Sequence, residues 1–113
     1  MIKDTNDILT IVGGDFDFLA EVLVVFRGDI EDQMRILSES IESRDTITAG
    51  KAAHGLRGSV ANFSCHVGAD MAFEIEAALD RGQWPTVRSR FAELSETLDS
   101  LLEELDALVA AGA

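Results

Sequence analysis

Proline occurs once in this chain of 113 residues, and tyrosine not at all. Turn-rich β folds usually need more proline and aromatics, so the balance favours helices. Cysteine also occurs once, as Cys65. No internal disulfide can form, which fits a reducing compartment. Basic residues are scarce: nine Lys and Arg stand against 21 Asp and Glu, for a net charge of −12. Nucleic acid and anionic membrane surfaces need a cationic face, so neither is an expected partner. Long apolar runs are missing as well. Val22 to Phe26 is far too short to cross a bilayer, which takes about 20 residues. The opening Met1-Ile2-Lys3-Asp4 does not lead into the apolar core of a signal peptide. A cytoplasmic protein with no direct membrane insertion is expected. No glycine-rich phosphate cradle followed by Lys-Ser or Lys-Thr is present, so the chain cannot draw phosphate from ATP by itself.

What the chain does have is apolar periodicity. Hydrophobic residues make up 47% of it, too many for global disorder. A single domain over residues 1–113 is expected, long enough to bury about two-thirds of its unfolded surface. Residues 5–12 read as a short leading helix, closed by Gly13-Gly14. Asp15 is then a plausible N-cap for a helix over about 16–43. Its inward residues would be Leu19, Val22, Leu23, Phe26, Ile30, Met34, Leu37 and Ile41, at spacings of three and four. Asp45 is the cap expected for a helix over about 46–63. After a break around Ser64 to His66, with Ser64 able to cap, a fourth helix runs to about Arg81. Met71, Ala72, Ile75, Ala78 and Leu79 face inward, and Gly82 takes the left-handed C′ position. Trp84-Pro85 opens the last helix, where the missing proline N–H is harmless. Val87, Phe91, Leu94, Leu98, Leu101, Leu105 and Leu108 form its stripe, and residues 110–113 are expected to fray. Short connectors between long amphipathic helices give an all-α, antiparallel four-helix bundle (about 15–109) with a short N-terminal helix. No stripe looks spare for a partner. A single core of this kind suggests a monomer.

The segment around His54 does not serve that core. At about 100° per residue, Ala49, Ala53, Leu56, Val60 and Phe63 share one face, and His54 points about 145° away from it. Its neighbours one turn away are Gly50 and Gly58, and those at i−3 and i+3 are Lys51 and Arg57. A solvent-facing imidazole thus stands between two cations on a surface cleared of side chains. Each interior glycine costs a helix about 1 kcal/mol relative to alanine. Gly50, Gly55 and Gly58 are therefore unexplained by propensity and suit close approach of another molecule. Imidazole is nucleophilic near neutral pH and can accept a phosphoryl group, while Lys51 and Arg57 could steady phosphate oxygens. Phosphoryl transfer needs in-line geometry and charge neutralisation more than covalent machinery.

Other candidates are weaker. Cys65 and His66 are adjacent and would not face each other on a helix, and no orienting acid is evident. No set of three or four converging metal ligands stands out, so no metal is expected. Glu76 could face the His54 helix, either as a solvated carboxylate or as an acceptor that orients the imidazole N–H. Glu93, Glu96, Glu103 and Glu104 read as a solvated face.

His54-Gly55-Leu56-Arg57-Gly58-Ser59-Val60-Ala61-Asn62-Phe63, followed by Ile75-Glu76 and Gly82, resembles the histidine phosphotransfer (HPt) domains of two-component phosphorelays. The Ala52-Ala53 pair before His54 also fits, and the likeness covers roughly residues 15–108. The family pattern reads His-x-Leu-Lys-Gly-Ser, then small residues and Asn. The resemblance implies a four-helix bundle and a phosphoacceptor role for His54. It implies a phosphoryl carrier without kinase or phosphatase activity. Arg57 stands where the motif has Lys, near the phosphate, and trades a point charge for a planar fork. Gly58 keeps the site open, and Ser59 is implied as a helix or phosphate hydrogen-bonding residue. Glu76 stands where the family often places Glu or Gln near the histidine. Ser64 replaces a frequent Gly, a minor departure. The implied partners are response-regulator receiver domains and a hybrid sensor histidine kinase. No cofactor is implied in this chain, and Mg²⁺ would belong to the receiver. Docking would use Gly50, Gly55, Gly58 and Ala61, with apolar residues from the helix over 16–43 or the N-terminal segment. The competing reading is a binding module that docks on a receiver or an enzyme and regulates it without being phosphorylated.

Overall fold

The computed structural model describes residues 13–62 and 65–112. Four helices follow one another: α1 Phe16–Ser43, α2 Thr46–Ala61, α3 His66–Asp80 and α4 Trp84–Gly112. The short helix expected over 5–12 lies outside the described residues, as do Phe63 and Ser64.

Local chemistry sets the helix ends. Asp15 caps α1, its carboxylate accepting from the Phe18 N–H at 3.0 Å. Asp45 caps α2, accepting from the Thr48 N–H at 3.1 Å and the Thr48 hydroxyl at 2.7 Å. Between them Arg44 takes a left-handed conformation, φ 55°, with its guanidinium over the Trp84 ring at 5.7 Å. Gly82, φ 67°, turns the chain after α3, where an L side chain would be strained. The N-cap of α3 is Cys65 and makes no side-chain cap bond, so the cap expected at Ser64 is displaced by one residue. The fraying expected after residue 109 is also corrected: α4 continues to Gly112. A Cβ on Gly112 would overlap the Phe16 ring, so the missing side chain lets the two helix ends close together.

Paired contacts fix the directions. Gln33 lies against Gly55 and Asp29 against Ser59, so rising numbers on α1 meet falling numbers on α2. Val60 meets Gly68 while His54 meets Glu76, which sets α2 and α3 antiparallel. Met71 meets Thr97 and Glu74 meets Arg90 across α3 and α4. Arg27 meets Asp106 at 2.6 Å, closing α1 on α4. The result is an antiparallel four-helix bundle, 45 Å along its longest axis.

All four helices feed one core. Leu19, Leu37, Leu56, Ile75, Leu94, Leu101 and Leu105 are fully buried there. Every residue expected inward on the described helices is buried or packed against the core, with Val22, Met34, Met71, Phe91 and Leu108 only partly covered. Small residues bring α2 and α3 together: Ala49, Ala52, Ala53 and Ala72 are buried. At Gly68 a Cβ would stand 2.8 Å from Val60 Cγ1 and 3.2 Å from Cys65 Sγ. Like Gly112, this glycine sits where helices pack too closely for a side chain, and the sequence reading did not single it out. Burial also pushes the Cys65 thiol up from its ordinary pKa, which keeps it neutral.

One expectation fails. A spare apolar stripe exists on α1, where Phe18, Val24 and Val25 are exposed. Phe18, Val22 and Val25 share a face at i, i+4 and i+7. With Glu21, Phe26, Asp29, Ser59 and Asn62 they line an open groove of about 530 Å³. The core takes the Leu19–Leu23–Phe26–Ile30 face of α1, so among the described residues no helix covers the exposed Phe18 and Val25 beside it.

Candidate functional site

With Ala49, Ala52, Ala53, Leu56 and Val60 all buried, α2 has one rotation available, and it turns His54 to solvent. The imidazole is 68% exposed. Room on either side of it is real. A Cβ added to Gly50 or Gly58 would meet nothing within 4 Å, and one on Gly55 would make ordinary contact with the Gln33 side chain at 3.8 Å. The fold therefore requires glycine at none of these three positions, although each weakens the helix.

Across from His54, α3 places Glu76. Ile75, Ala78 and Leu79 are buried, so Glu76 lies at the edge of the core, half-covered and aimed at α2. Its Oε1 is 3.1 Å from His54 Nδ1. A carboxylate can only accept, so the compatible tautomer donates Nδ1–H to Glu76 and leaves the Nε2 lone pair outward. Of the two alternatives for Glu76, its place beside Nδ1 suits the orienting acceptor.

Arg57 completes the cluster from the next turn of α2. Its Nε lies 3.3 Å from Glu76 Oε2, a buried atom that receives no aligned hydrogen bond. Its Nη2 is 3.1 Å from His54 Nδ1. Nδ1 cannot donate to Glu76 and accept from Arg57 together, so with Nδ1–H on Glu76 the guanidinium is a neighbouring charge. Its carbon also sits over the Phe73 ring, 5.3 Å from the centroid.

The other residues from the sequence reading are spread more widely. Lys51 is exposed and lines a groove of about 470 Å³ with Ile47, Gly50, His54, Glu76 and Leu79. Ser59 donates its only hydroxyl hydrogen to Asp29 Oδ2 at 2.7 Å. That bond fastens α2 to α1 and leaves no hydroxyl donor for a phosphate on His54. Ala61 is exposed two turns beyond His54, near the apolar groove of α1. His66 opens α3, away from the cluster. Sequence reasoning missed Phe73, and it expected apolar residues of the helix over 16–43 at the docking surface without locating the groove. The groove was signalled by Phe18, Val22 and Val25 at helical spacing, beside a stripe already assigned to the core.

This arrangement leaves the imidazole open to solvent, sets a carboxylate against its Nδ1 and keeps a permanent cation beside it. The site is open, so water is excluded only when a partner covers it. Among the described residues no group of three or more His, Cys, Asp or Glu could hold a metal ion. Among them, too, no helix is long and apolar enough to cross a membrane.

Neither a search of curated proteins nor a search of solved structures returns a match. Comparison with protein families matches residues 21–111 to the Hpt domain, a span that contains His54, Arg57, Glu76 and all but the first turn of α1. The chain belongs to the Hpt domain family, whose members carry phosphoryl groups on histidine in phosphorelays.

Proposed function

We propose that His54 accepts a phosphoryl group from the aspartate of a receiver domain and passes it to a second receiver. The observation that carries this reading is the outward Nε2 of His54, backed by Glu76 at 3.1 Å on Nδ1. In the forward step the Nε2 lone pair attacks phosphorus in line with the acyl-phosphate P–O bond. The N–P bond forms, the P–O bond breaks and the receiver regains its carboxylate. Nδ1–H stays in place, so the phosphorylated ring carries positive charge that faces Glu76. That charge keeps the phosphoryl group transferable, and the next receiver's aspartate reverses the step. Arg57 and Lys51 supply cations for the phosphoryl oxygens. Mg²⁺ belongs to the receiver.

Receiver docking covers Gly50, Gly55, Gly58 and Ala61 and extends into the groove of Phe18, Val22 and Val25. Apolar burial there supplies affinity that net charge cannot, because this chain is at −12 and must meet its partner through local contacts. The relay operates in the cytoplasm, with a hybrid sensor histidine kinase upstream and the chain acting as a monomer without kinase or phosphatase activity.

The test is transfer of label from phosphorylated receiver domains to the purified protein, with His54→Gln alongside. Acid-labile, base-stable label that vanishes in the variant is expected. Label retained in His54→Gln would remove the acceptor assignment. Receiver binding without any transfer would favour a binding module.

A further inference from the structure

Phe73 is a large apolar side chain that the bundle does not bury: it is 54% exposed. It lies on α3 one turn before Glu76, and the two residues grip one guanidinium. Phe73 offers a ring face 5.3 Å from the Arg57 guanidinium carbon. Glu76 offers Oε2 at 3.3 Å from Nε. We infer that Phe73 is a positioning residue, which seats the Arg57 guanidinium beside His54 and makes arginine rather than lysine the working cation of this site.

The argument is geometric. A side chain as long as Arg57, over a third exposed, has many rotamers, and one ion pair at a surface restrains them weakly. A guanidinium held over a ring on one side and paired with a carboxylate on another loses part of that freedom. An ammonium can also sit over a ring and pair with a carboxylate, but it lacks the guanidinium's plane and spread of donors, so lysine would be held less firmly. The position where this chain departs from the motif is therefore matched by an aromatic on the facing helix. Phe73 acts on the site through Arg57.

Two measurements test this, and the first is independent of any phosphoryl chemistry. In NMR spectra of the unmodified protein, the Arg57 side-chain protons are expected at ring-current-shifted positions in the wild type and Phe73→Trp, and at ordinary positions in Phe73→Leu. Identical Arg57 shifts in wild type and Phe73→Leu would overturn the inference. The second rests on the phosphoacceptor reading and uses phosphoramidate as a small donor, with His54→Gln to subtract label on His66. Phe73→Leu is expected to slow phosphorylation of His54 about two- to fivefold, the factor that a cation–π contact at an exposed site is worth. Arg57→Lys should show a similar loss, and the double variant should be no slower than Arg57→Lys alone, with Phe73→Trp restoring the rate. Losses that multiply in the double variant, or an unchanged rate in Phe73→Leu, would overturn it. If phosphoramidate labels His54 but no receiver does, the relay reading fails while the positioning role of Phe73 stands.

Discussion

At the scale of single residues, the cluster around His54 takes its geometry from contacts between helices: Glu76 and Phe73 on α3 meet His54 and Arg57 on α2. The exposure of His54 was legible in sequence, since the buried run from Ala49 to Val60 fixes the rotation of α2. The placement of Glu76 was legible only as one of two alternatives, because a residue beyond a connector has no defined angle to α2 until the pair is packed. Phe73 was hidden for the opposite reason: an aromatic on an amphipathic helix reads as core by default. Asp45 gives a residue-scale prediction of its own. The Thr48 hydroxyl, then the Thr48 N–H, hold its carboxyl below the ordinary value of 3.8, and Lys51 adds to this. Its folded-state pKa is depressed, so its stabilisation is complete above the unfolded pKa and is lost as pH falls through the folded one. The stability difference between wild type and Asp45→Ala, from urea titrations, should be constant above about pH 5 and shrink below it. A difference that persists undiminished in strong acid would mean that the charge on Asp45 is irrelevant to the cap.

At the scale of helices, the glycines divide into two kinds that the sequence does not distinguish. Gly50 and Gly58 have open space where a Cβ would stand, whereas Gly68 has Val60 at 2.8 Å. Alanine at 50 or 58 should stabilise the bundle by about 0.5–1 kcal/mol each, through helix propensity alone. Alanine at 68 should destabilise it by about 1–3 kcal/mol, because α2 and α3 would have to separate. Denaturant melts of the three variants check both signs together, and a stabilised Gly68→Ala would mean that the α2–α3 contact yields freely. Caps were the most legible element features: Asp15, Asp45 and Gly82 each act within a few residues, whereas Pro85, expected at the first helical position, is the second residue of α4. The start of α3 and the end of α4 were not, since Cys65 caps without a side-chain bond and Gly112 is held against Phe16 from the far end of the chain. Those contacts belong to the bundle.

At the scale of the molecule, the antiparallel bundle followed from four amphipathic stripes and short connectors, but its outer surface did not. The stripe on α1 is wider than one core contact consumes, and width on a helix surface becomes visible only once the neighbours are in place. The excess, Phe18, Val22 and Val25, lies on the same side of the bundle as Ser59 and Asn62, so it continues the cleared surface of α2 beyond Gly58 and Ala61. A receiver seated over His54 would bury it, and the central residue to test is Val25, 73% exposed. Val25→Asp removes apolar area and adds another negative charge to a chain already at −12, at a position that makes no core contact. The fold should be unaffected, with an unchanged helical signal and denaturant midpoint. Affinity for a cognate receiver should fall about five- to thirtyfold, the loss expected for a contact worth about 1–2 kcal/mol at the centre of an interface. Added salt should restore little of it, because the lost term is apolar burial. Wild-type affinity in Val25→Asp, measured by calorimetry with the same receiver, would move the docking face to the other groove beside His54, lined by Ile47 and Lys51.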